Sequence, residues 1–222
     1  MPRKRRIILP GLPHHITQRG NGRSDIFRDS KDREVYLQLL ARFSKQHTVD
    51  LFSYCLMTNH VHLVGNPPRE NSAAKMMRDL HGFYAIYYNR KYGLTGHLWQ
   101  GRFFSCVLDP EHFQAAVRYV ERNPVRAGLV TRAEMFCWSS AAAHCGLRED
   151  PLLAPLNRQW ISTSNWSGWL SLGDHETGEA ALREATRTGC PCGSEKFVEE
   201  MEQQMGRSLT PRKAGRPKKA QK

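Results

Sequence analysis

The chain has 222 residues, with 33 Lys+Arg against 21 Asp+Glu, a net charge of +12 and a pI near 9.7. Mean hydropathy is −0.60, and no stretch approaches the roughly 20 apolar residues that a bilayer span needs. The expectation is therefore a soluble, cytoplasmic chain with no membrane partner. Its opening, MPRKRRIILPG, is no secretory signal, because Ile7, Ile8 and Leu9 are stopped at once by Pro10 and Gly11. All 21 acids lie between Ile7 and Gly206, so the four basic residues before that span and the seven after it are unopposed. Residues 7–130 hold 16 basic and 10 acidic groups and residues 131–206 hold 6 and 11, which leaves basic ends, a basic front half and an acidic back segment. Such a balance favours a nucleic-acid partner. Six dispersed cysteines in an unexported chain read as free thiols.

In chain order, His14–Arg19 reads as a strand, ended by the turn residues Gly20, Asn21 and Gly22. A helix follows, with Ser30 as its cap, Asp32 and Glu34 in the first turn, and Tyr36, Leu39, Leu40 and Phe43 on one face. Val49–Leu56 and His60–Gly65 read as an antiparallel hairpin closed by Asn66, Pro67 and Pro68. A second helix is expected from Asn71 or Ser72 to Tyr92, burying Met76, Leu80, Phe83 and Tyr87 and broken by Gly93.

Leu98–Leu108 is the expected fourth strand. Asp109, Pro110 and Glu111 open a third helix with apolar Phe113, Ala116, Val117 and Val120, expected to end near Asn123 because Pro124 disfavours α geometry before it. The order β-α-β-β-α-β plus a helix predicts an α+β, ferredoxin-like split βαβ antiparallel sheet with helices on one face. Residues 1–130 form the expected front domain. Residues 131–206 read as an irregular wrap around Trp138, Trp160, Trp166 and Trp169, then helices over 179–187 and 194–205. Residues 207–222, rich in Lys, Arg, Gly and Pro, are expected to be disordered when free.

His60 and His62 flank Val61 on a strand, so the period of two puts both imidazoles on one face, half of a metal site or a satisfied polar pair. Tyr119 and Asn123, spaced i, i+4, share one side of the third helix. A lone tyrosine there is more often a half-buried packing residue. TNHVHLV (58–64), RGN (19–21), LWQGRF (98–103) and YVERNPVRAGLV (119–130) together resemble the single-tyrosine HUH transposases. The basic tail with GRPKK (215–219) resembles the REP-associated tyrosine transposases of bacteria. The resemblance runs over residues 10–145. It implies a ferredoxin-like nuclease in which His60, His62 and Asn123 hold a divalent metal, Mg²⁺ or Mn²⁺, and Tyr119 attacks single-stranded DNA.

That chemistry suits the residue types. A metal on a nonbridging oxygen offsets the charge of a phosphodiester, and a tyrosine nucleophile yields a 5′ phosphotyrosine that conserves the bond for rejoining. Gln18, Arg19, Gln100 and Arg102 are candidate backbone-phosphate contacts, or simply the solvent side of a sheet. Arg212, Lys213, Arg216, Lys218 and Lys219 are candidate DNA contacts in the tail, Arg216 as a minor-groove hook, or else solvated chain. His14 or His15 stands near the scissile strand or is an ordinary sheet residue. Cys190-Pro-Cys192 reads as a loop with incidental thiols, since no second ligand pair lies at zinc-finger spacing. The expected protein is a nucleoid-associated, monomeric enzyme acting on single-stranded and hairpin DNA at repeated palindromes. A noncatalytic DNA-binding relative and a water-using metal hydrolase are the alternatives.

Overall fold

The strand His60–Asn66 sits inside the sheet, with a neighbour on either side, and this position brings its histidines under a helix. The computed structural model describes residues 6–156, 160–161, 163–173 and 176–209. The strands β1 (His14–Arg19), β2 (Asp50–Met57), β3 (His60–Asn66) and β4 (Phe104–Val107) pair in the order β2-β3-β1-β4, every neighbour antiparallel. With α1 (Ser30–Gln46) joining β1 to β2 and α2 (Ser72–Tyr92) joining β3 to β4, this is the expected split βαβ sheet.

Strand alternation divides the core in two. Ile16, Tyr54, Leu56, Val61 and Leu63 pack against α1 and α2, so the two crossover helices share one face, as expected. Cys55, Met57, Val64 and Cys106 face the other way, onto α3 (Pro110–Arg126). A register shift between Leu51 and Ser53 lets Phe52 and Ser53 both serve the α3 side. The β2–β3 turn is only Thr58 and Asn59, since Met57 pairs with His60. Thr58 O accepts from Ile26 N and Phe27 N at 2.9 and 3.1 Å, and Asn59 O from Gly20 N at 2.9 Å. Gly20 is required there, because a Cβ would stand 2.2 Å from Ser24 O.

Several element details differ from the sequence reading. α1 is capped by Asp29 rather than Ser30, in a reciprocal capping box with Asp32. α2 buries Ala73, Met76, Met77, Leu80, Tyr84 and Tyr88, while Phe83 is 51% exposed. The tyrosines win that face because their hydroxyls reach carbonyls at its rim, Tyr84 to Ile26 O and Tyr88 to Asp25 O, at 2.5 and 2.7 Å. β4 is shorter than Leu98–Leu108, because Gly101 at φ +123 breaks the extended run. The segment before it stays attached through Gln100 N to Arg19 O and Asn21 N to Leu98 O.

α3 does not stop at Asn123 but runs through Pro124 to Arg126. An interior proline costs a helix roughly 3 kcal/mol, and here burial on both sides offsets it. Every residue from Ala116 to Pro124 is buried. Arg118 donates to Trp169 O, Leu172 O and Gly173 O, and Arg122 to Leu170 O, at the end of α5 (Trp166–Ser171).

The rest of the extension comprises α4 (Ala141–His144), α6 (Glu176–Thr188), α7 (Glu195–Met205) and the connecting chain. It seals both sheet edges. At β2, Leu56 N donates to Trp138 O and Ser140 N to Tyr54 O, at 2.9 and 3.0 Å; at β4, Cys192 N donates to Val107 O at 2.8 Å. The Cys190-Pro-Cys192 turn is therefore an edge-covering loop, and all six cysteines are unpaired. Among the described residues no helix is long and apolar enough to cross a membrane. The tail candidates Arg212, Lys213, Arg216, Lys218 and Lys219 lie outside the described residues.

Candidate active site

His60 and His62 project from β3 towards α3, at the floor of a cleft of about 640 Å³. Thr17 and Arg19 of β1 stand beside them in register, and Met57 of β2 flanks His60. α3 lays Tyr119 across this floor, its ring 5.5 Å from that of His62 and 5.8 Å from that of His15, both edge-on. Asn123, one turn on, donates Nδ2 to Tyr119 O at 3.0 Å. Its Oδ1 has no hydrogen-bond partner among the described residues. The sequence pairs expected to meet, His60 with His62 and Tyr119 with Asn123, thus line one cleft.

Each imidazole has one nitrogen already engaged. His60 Nδ1 lies 2.6 Å from Asn59 Oδ1, which accepts its hydrogen, while Asn59 Nδ2 is held by Arg23 O at 3.1 Å. His62 Nδ1 lies 2.9 Å from His15 Nε2. Burial first, then Arg19 and Arg126, push His60 down to about 4. Burial likewise lowers His62 well below the usual histidine range. Both are neutral at physiological pH, and no hydrogen bond among the described residues engages either Nε2. Two imidazoles and an amide oxygen form a neutral donor set that suits a divalent cation sharing its shell with phosphate oxygens. Among the described residues no cluster of three or more His, Cys, Asp or Glu could hold a metal; the cleft sets the Asn123 amide beside its two imidazoles.

The cleft is cationic. Arg19, Arg126, Arg183 and Arg187 line it, together with Gln100 and Phe104, and among the described residues no carboxylate does. Arg126 stacks its guanidinium 4.4 Å over the Tyr119 ring and pairs with Glu179 at 3.2 Å. Of the expected phosphate contacts, Arg19 and Gln100 are exposed at this cleft. Gln18 also borders the cleft but is 2% exposed, and its side chain, turned away from α3 by strand alternation, donates Nε2 to Gly101 O at 3.0 Å. Arg102 is exposed but does not line the cleft, and its charge acts on Arg6. His14 is structural, accepting from Leu9 N and donating to Leu12 O. Arg126, Arg183, Arg187 and Phe104 were not singled out in the sequence.

Buried neutral histidines make the fold acid-sensitive. Burial pushes His14 down to about 4, and His15 and His81 to about 3, whereas in the unfolded chain they titrate near 6.5. Below about pH 6.5 the unfolded state binds protons that the folded state refuses. Their stabilisation is therefore complete above pH 6.5 and lost as the pH falls towards 4 and 3, by about 2.5 kcal/mol each by pH 4.5. Urea unfolding across pH 7.5 to 4.5 is expected to show that steep decline; a flat profile would mean that these imidazoles are not held neutral.

A family model described as "Transposase IS200 like" matches residues 10–123. No curated protein sequence matches the chain. Among solved structures, one described as the "REP associates tyrosine transposase bound to a REP hairpin" aligns at 18% identity over 74% of this chain and 96% of that one, with a TM-score of 0.54. At that identity the likeness is one of fold, and it agrees with the α+β sheet above. A crystal structure of a transposase from Deinococcus radiodurans R1 aligns at 18% identity over 54% and 94% of the two chains, with a TM-score of 0.39, too low to argue from. Because the family match spans just over half of the 222 residues and takes in both histidines, the tyrosine and the asparagine of the cleft, the chain belongs to the IS200-like transposases.

Proposed function

We propose that the protein is a REP-associated tyrosine transposase that cuts and rejoins single-stranded DNA at short palindromic repeats through a 5′ phosphotyrosine. The observation that carries this reading is the Tyr119 ring lying 5.5 Å from His62 in a cleft lined, among the described residues, by four arginines and no carboxylate. On this reading Tyr119 Oη forms the new bond to phosphorus, the bond from phosphorus to the 3′ oxygen breaks, and the phenol proton passes to solvent. His60, His62 and Asn123 would hold Mg²⁺ or Mn²⁺, which when bound supplies Lewis-acid polarisation of the phosphate. Arg126 orients the Tyr119 ring by stacking on it. Arg19, Arg183 and Arg187 neutralise backbone phosphates, and Phe104, 47% exposed at the cleft, offers a face on which a base stacks.

Hairpin DNA is the proposed partner, since the aligned REP-associated protein is described as bound to one. The basic tail, with Arg212, Lys213, Arg216, Lys218 and Lys219, would add phosphate contacts, and a cytoplasmic monomer acting at the nucleoid is the proposed form. The full chain is to be incubated with 3′-end-labelled single-stranded oligonucleotides carrying a hairpin and its flanks, with Mg²⁺ or Mn²⁺. A denaturing gel is expected to show a covalent protein–DNA adduct, with the label on the Tyr119 peptide. Cut product with a free 5′ phosphate and no adduct would assign a water-using hydrolase. Binding without any cutting would assign a noncatalytic binder.

A further inference from the structure

His62 takes its hydrogen-bonding state from groups that are not ligand candidates. His15 on β1 lies edge to edge with it, rings parallel within 4° and centroids 5.1 Å apart, with His15 Nε2 2.9 Å from His62 Nδ1. His15 Nδ1 in turn lies 2.8 Å from Thr186 Oγ1 on α6, a residue 171 positions away in the chain. The Thr186 hydroxyl donates to Leu182 O, one turn back, at 2.7 Å. These three side chains are 1%, 6% and 3% exposed for His15, His62 and Thr186, so water does not substitute for a missing partner.

The directions along this chain follow from counting hydrogens. A hydroxyl has one, and Thr186 commits it to Leu182 O. Towards His15, Thr186 Oγ1 therefore only accepts, which places the His15 hydrogen on Nδ1 and a lone pair on its Nε2. That lone pair accepts from His62, which places the His62 hydrogen on Nδ1 and leaves Nε2 as a lone pair. Cys106 Sγ, 3.2 Å from Thr186 Oγ1, fits as a second donor to the same oxygen.

We infer that Thr186 of α6, acting through His15, is a positioning residue that fixes His62 in the Nδ1–H tautomer and holds its Nε2 ready for a divalent cation. The inference rests on the reading of His62 as a metal ligand, yet the tautomer is a property of the metal-free chain. Groups outside a ligand set that fix ring orientation in this way typically change metal affinity about 10- to 100-fold when removed. Residues 131–206 thereby enter the site itself, since the last contact in the relay belongs to α6.

Long-range ¹H–¹⁵N spectra of the full-length, metal-free protein labelled at histidine report the tautomer directly. His62 is expected to carry its hydrogen on Nδ1 in the wild type and in Thr186→Ser, which keeps the hydroxyl. Thr186→Val keeps the shape and removes the acceptor, and it should give a mixed or inverted tautomer. Mn²⁺ affinity, read from the free-ion electron paramagnetic resonance signal, should fall about 10- to 100-fold in Thr186→Val and in His15→Phe and recover in Thr186→Ser. Finding the wild-type His62 hydrogen on Nε2, or wild-type Mn²⁺ affinity in Thr186→Val, would overturn the proposal. An Nδ1–H His62 that shifts in Thr186→Val, in a wild type that binds no Mn²⁺, would uphold the relay and overturn the metal reading of the cleft.

Discussion

Replacing Tyr119 by phenylalanine is expected to lower DNA cleavage on the order of 10⁴- to 10⁶-fold, as loss of a nucleophile does elsewhere, while fold and DNA affinity survive. The residue is 6% exposed, and its hydroxyl has no hydrogen-bond partner among the described residues. Only the reacting oxygen is lost. The edge-on contacts with His15 and His62 and the Arg126 guanidinium stacked 4.4 Å away persist with a phenyl ring. Stability should change by about 0.5 kcal/mol or less. Single-turnover cleavage beside a binding isotherm checks both halves, and cutting at the wild-type rate would place the nucleophile elsewhere.

The second large effect is structural and lies two residues along the same helix. Glu121 is 0% exposed, behind α3. Its Oε1 accepts from Ser140 Oγ at 2.5 Å and stands 2.5 Å from His144 Nδ1, and its Oε2 accepts from Trp166 Nε1 at 2.7 Å. Ser53 of the bulged β2 reaches the same carboxylate at 3.5 Å. One side chain thus ties α3 to β2, α4 and α5. Glu121→Ala leaves several buried polar groups without a partner, each worth about 1–3 kcal/mol, and opens a cavity. A loss of about 3–5 kcal/mol in urea unfolding is expected, with Tyr119 displaced and cleavage falling alongside. A loss below about 1 kcal/mol would show that the carboxylate is not the fastening.

The legible features were those that local periodicity governs. Alternation put His60 and His62 on one face, and helical spacing put Tyr119 and Asn123 together, because both relations hold within one element. Where a local rule met tertiary packing, packing prevailed. The residue before Pro124 is a sound helix stop in isolation, yet Arg118 and Arg122 grip α5 and carry the helix on to Arg126. That extra turn delivers Arg126 to the Tyr119 ring, so misjudging the helix end meant missing a site residue. The buried face of α2 was misread at Phe83 because an apolarity count does not register a tyrosine whose hydroxyl finds a carbonyl. Gln18 borders the cleft yet is buried, because strand alternation turns it to the face opposite Thr17 and Arg19. Thr186 left no local trace, since it meets His15 across 171 residues of chain.

A nucleophile and a ligand pair drawn from the same polypeptide set the stoichiometry of the proposed reaction. One cleft holds one tyrosine, so each chain can store a single phosphodiester bond at a time. The strand it releases ends in a 3′ hydroxyl, the only partner that can discharge the phosphotyrosine without hydrolysis. Exchange between two sites then demands that a second 3′ end arrive while the first 5′ end is still attached. The order of events becomes strictly alternating: attach, exchange hydroxyls, release. Under the proposed reaction a lone chain would rejoin whichever end waits in its cleft, and the choice between restoring the old junction and making a new one would be a competition between two hydroxyls for one occupied tyrosine.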